Sequence, residues 1–269
     1  MSPDASHDDH YTLEPEAPAP SLPGRVIVRG DDEDLHHALG SDLMVHAQNC
    51  VRQFGDFHLA LSGGSTPMPF YKRLMVDPTF REFPWKRTHL WLVDERRVPL
   101  TDDRSNWAHI ASILLDHSDI PRAHAHAIDA TAVDADTRYE KELQAALAWR
   151  EKGHDRLDFV LLGVGDDCHT ASLFPHSPAL SERDRLVVIN AGETVTPPDR
   201  VTLTYKAINA ARVIAVLITG AKKRDAVARI VAGGDPAELP IVGVRPISPD
   251  GSAGEMRWYL DRAACPAGA

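Results

Sequence analysis

Cysteine is scarce in this chain: Cys50, Cys168 and Cys265 are far apart and form no Cys-x-x-Cys pair. An odd, scattered set predicts neither a disulfide framework nor a zinc ribbon, and it favours a reduced cytoplasmic protein. No apolar run is long enough to span a membrane, and the N-terminus lacks the apolar core of a signal peptide. We therefore expect a cytoplasmic protein without a membrane partner and without a metal site.

An excess of basic charge is also missing, because the formal net charge is -10. This balance argues against a nonspecific nucleic-acid binder and against docking on anionic lipid. A small anionic ligand remains compatible with it, since a local cluster of arginine and lysine can dominate one cleft. With 43% apolar residues, the chain of 269 residues can bury a sizeable core.

Short apolar runs alternate with segments of helical periodicity along the chain. Residues 157–162 and 212–219 are typical of buried strands, whereas apolar residues recur at helical spacing over residues 35–51. The alternation predicts an α/β fold, with a doubly wound, mainly parallel sheet and helices on both faces. Residues 1–24, rich in Pro, Asp and His, are predicted to be a disordered tail before one α/β catalytic domain over residues 25–269.

A glycine-rich segment follows the predicted strand at residues 57–61. It reads Ser-Gly-Gly-Ser-Thr and precedes a helix that starts at Met68. Glycines between hydroxyls at a helix start supply free backbone N–H groups and a favourable dipole, so the segment predicts a phosphate site. It is not a P-loop, because the Gly-Lys-Ser/Thr ending is missing, and a plain glycine turn is the alternative. The predicted contacts are Ser62, Gly63, Gly64, Ser65 and Thr66.

A histidine motif follows the strand at residues 157–162. The chain reads Gly-Val-Gly-Asp-Asp-Cys-His over residues 163–169. A histidine at such a position can move a proton near neutral pH, and Asp166 or Asp167 could orient its ring. The alternative is a strand-to-loop turn with a solvated histidine.

Two further strand ends carry charge. Residues 94–97 read Asp-Glu-Arg-Arg, and an arginine there could bind a phosphate or carboxylate through two parallel hydrogen bonds. Residues 220–224 read Gly-Ala-Lys-Lys-Arg at a helix start, where a bound anion would explain the lysines. Arg200 is a further candidate anion contact. Surface ion pairs and solvated lysines are the alternatives, but a doubly wound sheet places all these strand ends on one edge.

In order and spacing, these motifs resemble the 6-phosphogluconolactonase family. The resemblance runs from about residue 25 to 262 and covers the segments at 62–67, 94–99, 105–106, 163–175 and 220–223. It implies a cofactor-free esterase of the pentose phosphate pathway, on a fold shared with glucosamine-6-phosphate deaminases. Cys168 and His176 stand where the family usually has glycine, so a left-handed backbone at residue 168 would be strained.

The resemblance leads us to expect hydrolysis of 6-phospho-D-glucono-1,5-lactone, a small sugar-phosphate lactone, by a monomer or weak homodimer. His169 would be the general base that activates water, with Asp167 or Asp94 holding its ring. Arg96, or the backbone N–H groups of Gly63 and Gly64, would stabilise the oxyanion. The phosphate would lie against residues 62–66, and its charged contacts would be Arg200 and Lys223.

Two rival functions are weighed against this expectation. Aminosugar-phosphate deaminases or isomerases resemble the chain at residues 62–64 and 94–95. They carry an Asn-Glu-Pro type of continuation after the histidine, where this chain has Ser-Leu-Phe-Pro over residues 172–175. A non-catalytic sugar-phosphate sensor usually carries a DNA-binding helix pair, for which the short tail leaves no room, and it would bind ligand without turnover.

Overall fold

The main sheet of the molecule is parallel and has six strands. The computed structural model describes residues 19–192, 195–247 and 254–266. The strands in this part of the chain are β1 (Arg25–Arg29), β2 (Phe57–Leu61), β3 (Thr88–Leu92), β4 (Asp94–Arg96), β5 (Phe159–Leu162), β6 (Val187–Asn190), β7 (Arg200–Leu203), β8 (Val213–Ile218) and β9 (Glu255–Asp261). The main sheet has the order β1-β9-β8-β5-β2-β3, and every neighbouring pair is parallel. The predicted α/β fold with a mainly parallel sheet is confirmed.

Helices cover this sheet. They are α1 (Asp32–Phe54), α2 (Met68–Val76), α3 (Asn106–Ile110), α4 (Ala135–Leu147), α5 (Tyr205–Asn209) and α6 (Arg224–Ala232). The central strands β2, β5 and β8 are buried along their whole length, as expected when both faces of a parallel sheet are covered. The apolar stripe of α1 faces the core through Leu35, Leu39 and Leu43. Asp31 caps its first turn by accepting from the backbone N of Asp34 at 2.9 Å.

A second, antiparallel sheet of β4, β7 and β6 is absent from the sequence prediction. Residues 94–96 follow β3 after Val93 alone, and the sequence predicts them to be the polar end of that strand. They form a strand of their own, because β7 pairs with them and the backbone N of Leu203 donates to the carbonyl of Val93 at 2.8 Å. Three charged residues in a row carry no strand pattern, so only long-range pairing reveals β4.

The sequence also predicts helices over residues 134–150, from residues 105–106 through 115, and over residues 221–231, and all three have different bounds in the structure. The helix expected over residues 134–150 ends at Leu147, and the helix expected to run through Leu115 widens after Ile110 into a π turn. The i+5 bond from the N of Asp116 to the carbonyl of Ala111, 3.0 Å long, marks that turn. The helix expected from residue 221 opens with a 3₁₀ turn, Ala221–Lys223, before α6 begins.

The chain changes direction across the sheet at β2. It leaves β2 towards β3 on one side, and it later returns to β5 on the other side. Leu61 lies beside Leu161 in register, and Ser62 Oγ donates to the Leu161 carbonyl at 2.8 Å. The loops that follow β2 and β5 therefore diverge from neighbouring strand ends, and such a switch point leaves a crevice at the carboxyl edge of the sheet.

The N-terminal boundary is only partly described. Residues 1–18 of the predicted tail lie outside the described residues, so the division into tail and domain stays a prediction. Within the described part of that tail, Leu22 is buried in the core, and Trp258 Nε1 donates to the Pro23 carbonyl at 2.8 Å. Among the described helices, none is both long and apolar enough for a membrane span.

Candidate active site

A pocket of about 260 Å³ opens at the switch point. Its walls come from the segments that follow β2, β5 and β8, together with β4 and the start of α3. Nine of the predicted site residues line it: Ser62, Gly63, Gly64, Ser65, Thr66, Asp94, Arg96, His169 and Lys223. Gly163, Gly165, Ala171 and Asn106 line it as well. The separate strand ends singled out from the sequence therefore meet in one place.

A larger groove of about 1550 Å³ runs along α5 and the end of α4. None of the predicted site residues is among the described residues that line it. Size alone therefore does not mark the candidate active site, whereas convergent polar groups do.

His169 is held by a carboxylate. Its Nδ1 lies 2.6 Å from Asp167 Oδ1, and the same oxygen accepts from the His169 backbone N at 3.1 Å. Because an ionised carboxylate only accepts, Nδ1 carries the proton and Nε2 carries the lone pair. The ring is about one-third exposed at the pocket wall. The pair thus presents an unprotonated nitrogen that is suited to accept a proton from a ligand or water.

The same contact affects Asp167 itself. Partial burial raises the pKa of this carboxyl group, but the hydrogen bonds from the side chain and backbone of His169 outweigh burial and hold the pKa below its usual range. Asp167 does not line the pocket among the described residues, so it meets a ligand only through the imidazole. It is a positioning residue for His169.

Asp94, the other carboxylate considered for orienting His169, has different partners. Its Oδ2 accepts from Ser172 Oγ at 2.6 Å, and its backbone carbonyl accepts from Asn106 Nδ2 at 2.9 Å. Asn190 Nδ2 in turn donates to the Ser172 carbonyl at 2.8 Å. Asp94 is therefore fixed as an acceptor on the pocket wall, and the orienting contact belongs to Asp167.

Glu95 is a site residue that the sequence reasoning missed. It is fully buried, and it accepts from the backbone N of Arg96, Asn106 and Trp107 at 2.7 to 2.8 Å and from Ser105 Oγ at 2.9 Å. Burial raises the pKa of this carboxyl group, against the lowering effect of those four hydrogen bonds. The acid ties β4 to the first turn of α3, and so it positions both Arg96 and Asn106 at the pocket.

The glycine segment turns tightly against Asn106. A Cβ at Gly63 would lie 1.8 Å from Asn106 Oδ1, and Gly64 has a φ of 85°. Ser62 uses its hydroxyl on the Leu161 carbonyl. Within this segment, the hydroxyls of Ser65 and Thr66 therefore remain as side-chain donors at the pocket.

The predicted cations divide into two groups. Arg96 lines the pocket and donates through Nη1 to the Arg104 carbonyl at 2.8 Å, and Lys223 lines the pocket as well. Arg200 is buried beside Arg96 in the β4–β7 register, and its Nη1 donates to the carbonyls of Pro197 and Asp199. Burial lowers the pKa of Arg200. The Arg200 side chain braces the loop before β7 and is not among the described residues that line the pocket, so its role as a phosphate contact stays a prediction.

Cys168 has a left-handed backbone, with a φ of 68°, and His176 has a φ of 60°. Both are positions where the resembled family usually has glycine. The Cys168 thiol is buried and lies 3.7 Å from the Ala226 carbonyl, and burial raises its pKa. A buried thiol with a raised pKa is a poor nucleophile, so the structure gives Cys168 no chemical role.

We expect Cys168→Gly to be more stable than Cys168→Ala by about 1 kcal/mol, because alanine keeps the strain of the left-handed backbone and glycine relieves it. Urea unfolding of the two variants measures the difference. Equal stability of the two would show that residue 168 is not strained.

Gly165 leaves room for the His169 ring. A Cβ at this position would lie 2.1 Å from His169 Nδ1 and 2.6 Å from Asp167 Oδ1. We expect Gly165→Ala to fold but to lose at least about tenfold in kcat, because the methyl group pushes apart the pair that presents Nε2. Gly30→Ala is a control in an open position, and a normal kcat for Gly165→Ala would contradict the packing argument.

One group of possible metal ligands occurs among the described residues, and it lies elsewhere. Asp56, His58 and His89 bring their ligand atoms within 4.8 Å of one another at the amino ends of β2 and β3. Trp91 Nε1 donates to His58 Nδ1 at 3.0 Å, so the proton of His58 sits on Nε2, which lies 3.2 Å from Asp56 Oδ2. A histidine engaged in this way has no lone pair to offer, and the group serves as a hydrogen-bond network.

Comparison with known proteins adds to this geometry. Residues 30–258 match the family model described as glucosamine-6-phosphate isomerases/6-phosphogluconolactonase. The chain belongs to this family. A curated member from Nostoc sp., named 6-phosphogluconolactonase, is 37% identical over 226 residues, which are 82% of this chain and 89% of that protein. The family predicted from the sequence is thus confirmed.

A second relative is much longer. The GDH/6PGL endoplasmic bifunctional protein of Homo sapiens is 38% identical over 244 residues, or 87% of this chain, yet the chain spans only 29% of that relative's length. Among solved structures, 6-phosphogluconolactonase from Trypanosoma brucei has a TM-score of 0.73 at 28% identity and covers 91% of this chain and 98% of its own. A monomeric glucosamine-6-phosphate deaminase, at 19% identity and a TM-score of 0.73 over 89% and 98% of the two chains, shares the fold.

Proposed function

We propose that this family member hydrolyses 6-phospho-D-glucono-1,5-lactone to 6-phosphogluconate. The observation that carries the proposal is the His169–Asp167 pair at a pocket whose other walls hold Arg96 and Lys223. A base and two cations around one small cavity suit a neutral ester that bears a phosphate. The relatives named 6-phosphogluconolactonase, at 27–37% identity over most of the chain, support the same substrate.

In the proposed reaction, His169 Nε2 takes a proton from water as its oxygen attacks the lactone carbonyl carbon. Asp167 stabilises the imidazolium that forms. Arg96, or the N–H groups of Gly63 and Gly64, stabilises the oxyanion of the tetrahedral intermediate. The bond from this carbon to the ring oxygen then breaks, and the imidazolium returns its proton to that oxygen.

In this proposal the phosphate lies against the segment that leads into α2. Ser65, Thr66 and the N–H groups before α2 would donate to it, with Lys223 as the charged contact. Arg200 is left out of this set because it braces the loop before β7. No step needs a metal or an organic cofactor, since an activated cyclic ester requires only a base and oxyanion stabilisation.

The test follows the decay of freshly generated 6-phosphogluconolactone with and without the protein, because the lactone also hydrolyses spontaneously. We expect decay well above the blank and no ammonia release from glucosamine 6-phosphate. Ammonia release would favour the deaminase function. Blank-level decay from folded protein that still binds 6-phosphogluconate would favour the non-catalytic sensor.

We also propose that the protein acts in the cytoplasm as a monomer or weak homodimer, without nucleic-acid or membrane partners. The support is compositional: a net charge of -10 and three free, buried cysteines. Light scattering across protein concentrations tests the oligomeric state, and a concentration-independent dimer mass would overturn that part.

A further inference from the structure

One ion pair at the rim of the pocket has no part in the proposed chemistry. Lys223 Nζ lies 2.6 Å from Asp166 Oδ1. The lysine side chain is 20% exposed and lines the pocket, whereas the aspartate side chain is 80% exposed and lies outside the pocket wall. The ammonium group that faces an anionic ligand therefore already has a carboxylate partner.

The backbone fixes where this carboxylate sits. Asp166 belongs to the loop after β5, next to Asp167, and its carbonyl accepts from Arg229 Nη1 at 3.4 Å. Lys223 ends the 3₁₀ turn after β8. The ion pair thus links the loop that carries His169 to the turn that carries the cation.

A phosphate that reaches Lys223 must displace this carboxylate or share the ammonium with it. Sharing places two negative groups close together, and displacement breaks an ion pair, so either outcome reduces the net attraction. Exposed ion pairs are weak and exchange easily, so a doubly charged phosphate can still bind.

We propose that Asp166 limits the affinity of the pocket for sugar phosphates, because it competes with the phosphate of the ligand for Lys223. This inference rests on the proposed function for the identity of the ligand. Because the competition acts on substrate and product alike, it weakens the binding of both and hastens product release without changing the chemical step.

The test is a double-mutant cycle with 6-phosphogluconate as the probe, measured by calorimetry. We expect Asp166→Asn to bind it about two- to fivefold more tightly than the wild type. In a Lys223→Met background, the same substitution should leave the affinity unchanged, since no ammonium remains to compete for. Asp225→Asn, an exposed change of equal charge two residues beyond Lys223, is the matched control and should have little effect.

Equal tightening in both backgrounds would overturn the proposal, because it would show a general charge effect. Weaker binding by Asp166→Asn would overturn it too, because the carboxylate would then support Lys223. Lactone turnover by the wild type is measured in parallel and tests the proposed function separately. If turnover and 6-phosphogluconate binding both fail, inorganic phosphate replaces the probe, and equal phosphate affinity of wild type and Asp166→Asn overturns the competition.

Discussion

His169→Ala should lower kcat for 6-phosphogluconolactone by about 10²- to 10⁴-fold, the usual contribution of a positioned general base. The physical reason is the contact with Asp167, which leaves Nε2 unprotonated at the pocket wall. The affinity for 6-phosphogluconate should change little, because the phosphate contacts lie on other segments. Lactone decay corrected for the blank measures the first effect, and calorimetry measures the second.

His176→Ala is a suitable control for this variant. It removes an exposed histidine from the same stretch of chain, where the ring pairs with Glu238 at 3.2 Å outside the pocket. Its turnover should stay normal. Near-normal turnover by His169→Ala would mean that the base is assigned to the wrong residue.

Asp167→Asn separates orientation from base chemistry. The amide can still meet His169 Nδ1, but it cannot stabilise an imidazolium and can favour the wrong tautomer. We expect the kcat of this variant for lactone hydrolysis to lie between those of the wild type and His169→Ala. A variant as active as the wild type would show that the 2.6 Å contact has no role in turnover.

The parts of the fold that could be predicted from sequence are those that follow from local pattern. The buried strands β5 and β8 are continuous apolar runs, and α1 has a regular apolar stripe. The site at their carboxyl ends follows from topology, because parallel strands bring their ends to one edge. For this reason the sequence alone predicts that the motifs around Gly63, His169 and Lys223 lie close together.

The parts that could not be predicted depend on long-range contacts. Strand β4 has three charged residues and exists because β7 pairs with it. Glu95 reads as a surface acid, yet it is buried against the start of α3, more than ten residues away. Arg200 has the charge of a phosphate ligand, but the loop before β7 takes its hydrogen bonds. In each case residue type suggests a range of roles, and only the packing partner selects one.

Arg150→Met should cause the largest loss of stability, about 3–5 kcal/mol in the free energy of unfolding, because it removes the more deeply buried of the two arginines in an ion network. The Arg150 side chain is 1% exposed and donates to both oxygens of Asp158, at 2.9 and 2.8 Å, and to Asp56 Oδ1 at 2.5 Å. Asp158 Oδ2 also accepts from the backbone N of His58. Without this guanidinium, Asp56 loses its arginine partner, and Asp158 keeps only Arg212, whose Nε donates to Oδ1 at 2.9 Å.

Urea unfolding measures this loss, with Arg138→Met as the control. Arg138 pairs with Asp134 at 2.8 Å on the exposed side of α4, where such a pair is worth about 0.3–0.5 kcal/mol. If the unfolding free energies of both variants fall by the same small amount, the buried network does not stabilise the fold. A double change, Asp56→Asn together with Arg150→Met, should recover part of the loss, because Asp158 keeps its ion pair with Arg212 and residue 56 no longer carries an uncompensated charge.

The pH dependence of the unfolding free energy is an independent test of the same network. Partial burial raises the pKa of Asp56, but the hydrogen bonds from His58 and Arg150 outweigh burial and hold the pKa below its usual range. An acid with a depressed pKa in the folded state stabilises the fold above its unfolded pKa of about 3.9, and this contribution is lost as the pH falls through the folded value. Arg150→Met removes one of the two lowering contacts, so its unfolding free energy should fall less than that of the wild type between neutral pH and pH values below about 3.9. If the unfolding free energies of the wild type and Arg150→Met fall by equal amounts as the pH is lowered, Arg150 does not hold Asp56 in its charged form.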